Sequence, residues 1–151
     1  NRLYFLLVRI LRTIIQSPGL GEKLGLTTLD CLDYRLAASL VEAMGDDCVQ
    51  VAAKTLELNG TKPSEEVRRL LTNLQVICYD AHDQAIKAFI NKDIGMAENV
   101  RQMRIKISAL SADIEKTAKE QSLEVLPQTL AITASLMQLY EYSVDMADLV
   151  T

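Results

Sequence analysis

Tryptophan is absent from this sequence, and aromatic residues make up only 5% of it. Strands draw heavily on aromatic and β-branched residues, so this scarcity weighs against an all-β fold. Three prolines and six glycines are too few for a sheet with many tight turns, whereas long helices with short links fit. Histidine occurs once, as His82, with no nucleophile signature beside it. It reads as a surface or half-buried side chain rather than a base. The chain has no G-x-S-x-G, no phosphate-binding loop and no G-x-G-x-x-G, which leaves common hydrolase, NTPase and dinucleotide chemistry without its residues. Glu-x-x-His is missing too, which disfavours a ferritin-like di-iron oxidase. The three cysteines, Cys31, Cys48 and Cys78, are odd in number and form no C-x-x-C. Each falls among apolar residues, so all three are expected to be buried free thiols in a reducing, cytoplasmic setting. No signal peptide is expected from these residues. The apolar run Leu3 to Ile15 is interrupted by Arg9 and Arg12 and is too short to span a bilayer.

What remains is a globular composition, 49% hydrophobic and 24% charged over 151 residues. Net charge is -4 and the pI is near 5.0, which disfavours direct nucleic-acid binding, because phosphates need a basic face. Arg101, Arg104 and Lys106 sit close together and read as a solvated helix face.

Apolar spacing predicts five helices with short links, an all-α bundle of antiparallel neighbours. The first covers Arg2 to Gln16, with Arg2, Arg9, Arg12 and Gln16 on one stripe and almost everything else apolar. Such a helix needs neighbours on more than one side. If nothing covers it, it exposes an apolar face, so self-association is expected, with this helix against a neighbouring chain. Pro18, Gly19, Gly21 and Gly25 then predict a loop. The second helix starts near Thr27 or Thr28 and runs to about Leu58. Its seam is Leu29, Leu36, Leu40, Met44, Cys48, Val51 and Thr55, and Asn59, Gly60 and Pro63 end it. Ser64 caps the third helix, whose stripe is Val67, Leu70, Leu74, Ile77, Ala81, Ala85 and Ala88. Asp93 caps the fourth, in which Met96, Val100, Met103, Ile107, Leu110, Ile114 and Thr117 alternate by four and three without a break. Pro127 opens the fifth. One of its stripes runs from Leu130 through Tyr140 to Ala147, and a second includes Leu136 and Met146.

The chemistry that stands out is acidic. Glu42 and Asp46 are four apart, so both carboxylates share one helix face, and Asp47 adds a third charge. Like charges at that spacing cost a few tenths of a kcal/mol. Gly45 inside the helix costs about 1 kcal/mol more relative to Ala. A bound cation would offset the repulsion, and a small residue would admit a second helix. The competing reading is an ordinary solvated acidic face. Glu141 and Asp145 repeat the pattern. A shift of 95 positions sets Asp46 against Glu141, Cys48 against Ser143 and Ala52 against Ala147, which reads as an internal repeat.

These stretches resemble the PhoU family, phosphate-uptake regulators built from two three-helix repeats. Asp33 to Leu36 through Glu42 to Asp46 is similar to the family's third helix with its E-x-x-x-D signature. Ala85 to Phe89 with Asp93, Ala97 and Val100 is similar to the hairpin of the second repeat, and Met137 to Asp148 to the second signature helix. Asn1 to Arg9 resembles the second helix of the first repeat, as in archaeal members. The resemblance implies an incomplete first repeat over residues 1–60 and a complete second repeat over residues 61–151. The opening helix of the first repeat would lie upstream of Asn1, where some archaeal relatives carry a small DNA-binding domain. It also implies a metal site, for a divalent ion or iron, built from Glu42, Asp46, Glu141 and Asp145. In repeat two, Met137 stands at the Glu position and Glu141 at the Asp position, while Met103 and Ile107 stand where many members have acids.

The implied function is non-enzymatic regulation of phosphate uptake and homeostasis through protein–protein binding. The implied partner is the phosphate transporter or a signalling component, with association into homo-oligomers and a place at most peripheral to the membrane. Two other readings compete with this one. A metal-dependent enzyme would use the acidic faces on phosphoesters, and a dimerisation module would need no metal.

Overall fold

A computed structural model describes residues 2–58 and 60–150, all of the secondary structure being helical. Asn1, the first residue of the archaeal-type resemblance, and Asn59, expected to help end the second helix, lie outside the described residues. Seven helices take the place of the five expected: α1 (Arg2–Gln16), α2 (Pro18–Leu24), α3 (Thr28–Glu57), α4 (Glu65–Asn91), α5 (Ile94–Gln102), α6 (Arg104–Ala118) and α7 (Leu126–Asp148). The chain divides into two compact units, residues 1–43 and 44–151, and the division falls inside α3.

The first correction concerns the expected loop after α1, most of which is helix α2. Pro18 occupies a first-turn position, where its missing N–H costs nothing. Gly25, at φ +66°, ends the helix with its N–H on the Glu22 and Gly21 carbonyls. Gly21 is needed for another reason, since a Cβ there would lie 3.0 Å from the Leu26 carbonyl oxygen. Thr27 and Asp30 then form a reciprocal cap at the start of α3. The Asp30 N–H donates to Thr27 Oγ1 at 3.1 Å, and the Thr27 N–H donates to the Asp30 carboxylate at 2.9 Å.

The core of the first unit is small. Leu11 and Ile14 of α1 meet Cys31 of α3, with Leu7 and Leu26 packed against them. Leu3, Phe5, Leu6 and Ile10 remain exposed on α1, as do Leu29, Leu32 and Leu36 on α3. The expected seam of α3 is therefore filled only at Met44; Leu29, Leu36, Cys48 and Thr55 are exposed. Periodicity marks a stripe that can be covered, and burial needs a neighbour along its whole length. Cys48 departs from its expected burial for the same reason, while Cys31 and Cys78 are buried as expected.

In the second unit, α4 packs on α7, α5 and α6, and with α5 and α6 as one interrupted wall the four helices form a bundle of three sides. The Ser64 hydroxyl accepts from the Val67 N–H and starts α4. Lys92, at φ 54°, ends it, and Asp93 accepts from the Met96 N–H at 2.9 Å to start α5. The α4 stripe is buried as its spacing predicts, except that Cys78 rather than Ile77 faces inward. Many inward positions are small, among them Ala81, Ala85, Ala88, Ala97, Ala118 and Ala147. The Cys78 thiol donates to the Leu136 carbonyl at 3.3 Å, so α4 approaches the α7 backbone closely. Buried Thr133 and Ser143 bond back to carbonyls four residues earlier.

The fourth predicted helix is broken at Met103 into α5 and α6, although its apolar alternation is continuous. The Met103 N–H turns to the Val100 carbonyl at 3.2 Å, a tighter three-residue closure. Its dihedrals stay in the right-handed region, so the stripe keeps its phase and the sequence pattern gives no sign of the break.

Leu74 is completely buried and Leu123 is 88% exposed. Leu74→Ala should therefore cost about 2–5 kcal/mol in chemical denaturation. Leu123→Ala should stay within about 0.5 kcal/mol.

Candidate functional site

The four acidic candidates occupy two helices. Glu42 and Asp46 lie one turn apart on α3, Glu42 half-buried and Asp46 exposed. Beside them, the Asp47 Oδ2 is shielded from solvent with no hydrogen-bond partner among the described residues. Burial, with Asp46 as a neighbour, holds the Asp47 carboxyl above the usual aspartate range. The sequence had marked Asp47 only as an added charge.

On α7, Glu141 is engaged. Its carboxylate accepts two parallel hydrogen bonds from the Arg104 guanidinium, at 2.7 and 2.8 Å, in the bidentate geometry that arginine favours. Asp145 is exposed one turn further along. Among the described residues, no three His, Cys, Asp or Glu side chains converge as a metal site requires. What α3 offers is two carboxylates on one face. That suits a hard, partly hydrated cation that keeps water for most of its ligands.

Arg101 and Arg104, expected as a solvated face, instead clamp the α5–α6 break to α7. The Arg101 Nε donates to Asp148 at 2.7 Å, and its guanidinium also reaches the Ala147 carbonyl at 3.1 Å. Arg104 sits over the Tyr140 ring, 5.7 Å from its centroid. The Tyr140 hydroxyl, fully buried, lies 3.0 Å from the Val100 carbonyl and 3.2 Å from that of Arg101. It donates to carbonyls beside the break, which the Met103 N–H also faces. Burial raises its phenol pKa, with Arg104 opposing. These partners lie 37 to 47 residues apart, beyond the reach of any local pattern.

An open groove of about 560 Å³ lies in the same unit, with Val51, Thr55, Arg68, Thr72, Ile132 and Leu136 among its lining. Arg68 and Arg69 pair with Glu65 and Glu66 on their own helix, so their charge is already matched. Cys78, its thiol pushed up to about 12 by burial, has no nucleophilic character.

A family model, the PhoU domain, matches residues 71–151, more than half of the chain and nearly all of the three-helix bundle. The chain belongs to the PhoU domain family. That assignment ties it to the regulation of phosphate homeostasis. No curated protein and no solved structure matches the chain. The matched segment contains the whole Tyr140, Arg101 and Arg104 clamp and the two acidic candidates of α7, Glu141 and Asp145.

Two outcomes follow. Tyr140→Phe removes the hydroxyl at the helix break and should cost about 1–3 kcal/mol in denaturant unfolding. His82 is half-buried, its Nδ1 has no partner among the described residues, and burial lowers its pKa. Its contribution to stability is therefore present at neutral pH and is lost as the pH falls from about 6.5 through the folded value. His82→Gln should flatten that part of a melting-temperature profile between about pH 7 and 5.

Proposed function

We propose that this chain is a non-enzymatic regulator of phosphate uptake that acts by binding protein, its target being the phosphate transporter or the signalling component beside it. The observation that carries this reading is the PhoU domain match over residues 71–151, nearly all of the bundle. The 95-residue internal shift between α3 and α7 supports the further proposal that residues 1–60 belong to a first repeat related to the second. Free cysteines suit a reducing cytoplasm. In cells lacking the gene, uptake of labelled phosphate in phosphate-rich medium should rise, and supplying the full chain should restore restraint. Unchanged uptake would overturn the proposal.

Self-association belongs to the same reading. Leu29, Leu32 and Leu36 form an exposed stripe on α3 at spacings of three and four. The buried cluster of the first unit is small, Leu11, Ile14 and Cys31 with Leu7 and Leu26 against it. Units of this size commonly rely on a disulfide, a metal or oligomerisation, and Cys31 is free. A second copy packing along this stripe supplies the missing burial.

A divalent cation or iron on Glu42 and Asp46, with Glu141 and Asp145 as a second pair, is the remaining part of the proposal. Glu141 would have to leave Arg104 to take part. Added Mg²⁺, Mn²⁺, Fe²⁺ or Zn²⁺ should raise the melting temperature, because a ligand stabilises the state it binds. Glu42→Gln with Asp46→Asn should abolish the gain. A melting temperature unmoved by any of these ions in the unmutated protein would make these carboxylates a solvated face.

A further inference from the structure

We propose that α1 docks in the plane of an anionic lipid surface. Its 15 residues contain no acid and three arginines, Arg2, Arg9 and Arg12. With Thr13 and Gln16, these occupy an arc of about 100° on the helix circumference. Leu7, Leu11 and Ile14 turn the other way, into the unit's own core. Between the two faces lie Leu3, Leu6 and Ile10, one turn apart in succession and exposed, Leu3 by 82%. Arg2 and Arg9 border this stripe, where a guanidinium can stay at headgroup level while its stem follows the aliphatic side chains inward. Exposed Leu20 and Leu24 on α2 add to the apolar surface.

Charge selects the partner. Residues 2–24 carry four basic side chains and one acidic, Glu22, for a net charge of +3. The remaining 12 basic and 19 acidic residues give -7. The apolar stripe thus sits on the basic end of an acidic chain. An anionic bilayer attracts that end and repels the rest, which sets an orientation as well as an affinity. A helix with a basic polar face and an exposed aliphatic flank lies in the interface. Length excludes the alternative of crossing it: α1 rises about 22 Å against a hydrocarbon core of about 30 Å. Among the described residues no single helix is long and apolar enough to span. α1 and α2 reach the length only together, and the chain bends by 111° between them.

The test is co-sedimentation of the full chain with vesicles of phosphatidylcholine alone or mixed with phosphatidylglycerol. Binding should be at least about ten-fold tighter on the anionic vesicles and should weaken as salt screens the charge. Arg2→Gln, Arg9→Gln and Arg12→Gln together should weaken it roughly a hundred-fold. Leu3→Gln with Leu6→Gln should weaken binding to the same vesicles while leaving the net charge intact. All five side chains are exposed, so helical content by circular dichroism should not change. Equal binding to both lipids, or none to either, would overturn the proposal. So would a result in which Leu3→Gln with Leu6→Gln dissolves a dimer in sedimentation velocity and leaves vesicle binding untouched, because the face would then join two copies of the chain.

Discussion

The close approach of α4 to α7 is the constraint on which the bundle rests. It is possible because the inward positions of α4 from Ala81 onward are alanines. The Cys78 thiol reaches an α7 carbonyl directly. A close helix pair leaves little room between its members, so large side chains are confined to particular levels: Leu74 and Val67 near the start of α4, and Tyr140 and Met146 on α7. Interiors packed to crystal-like density tolerate few departures from such an arrangement. The third wall, α5 and α6, then has to fit around Tyr140, and the break at Met103 is where it does so.

Electrostatics follow this geometry. Arg101 and Arg104 flank the break and each finds a carboxylate on α7. Both pairs are partly exposed, so each adds little energy on its own. Their geometric role is larger, because they fix the register of the α5–α6 wall against α7. The acidic pattern of α7 is in this sense half structural. Glu141 serves the clamp, and Asp145 one turn later is left exposed. On α3 the acids at the same spacing are Glu42, half-buried, and Asp46, exposed, and Asp47 beside them keeps a shielded oxygen without a partner among the described residues. The same spacing in two helices has met two environments.

Features set by local spacing could be read from the sequence. The α4 stripe, the caps at Ser64 and Asp93 and the proline at the start of α7 are all found where they were expected. Misses arose where a distant group decided the outcome. Ile77 and Cys78 are equally apolar, and only the proximity of Leu136 turns Cys78 inward. The break at Met103 depends on a tyrosine 37 residues away in a helix that the pattern treats separately. Pro18 and its glycines were read as a loop because they punctuate sequences, yet a proline in a first turn and a glycine beyond the last residue describe a short helix equally well. The α3 seam is a different case, since its periodicity is real but a neighbour is missing along much of it.

The break at Met103 also divides the bundle in time. A continuous helix passes fraying from turn to turn through its hydrogen-bond ladder, so its two ends open together. Here the ladder stops, and α5 is held by the Tyr140 hydroxyl, by Arg101 and by the buried Ala97 and Val100. Its nine residues form a segment that can open and close without disturbing Ile107 and Ile114 in α6. In hydrogen exchange, the amides of α5 should therefore behave as a cooperative unit of their own, faster than those of α6, although one unbroken apolar stripe runs through both.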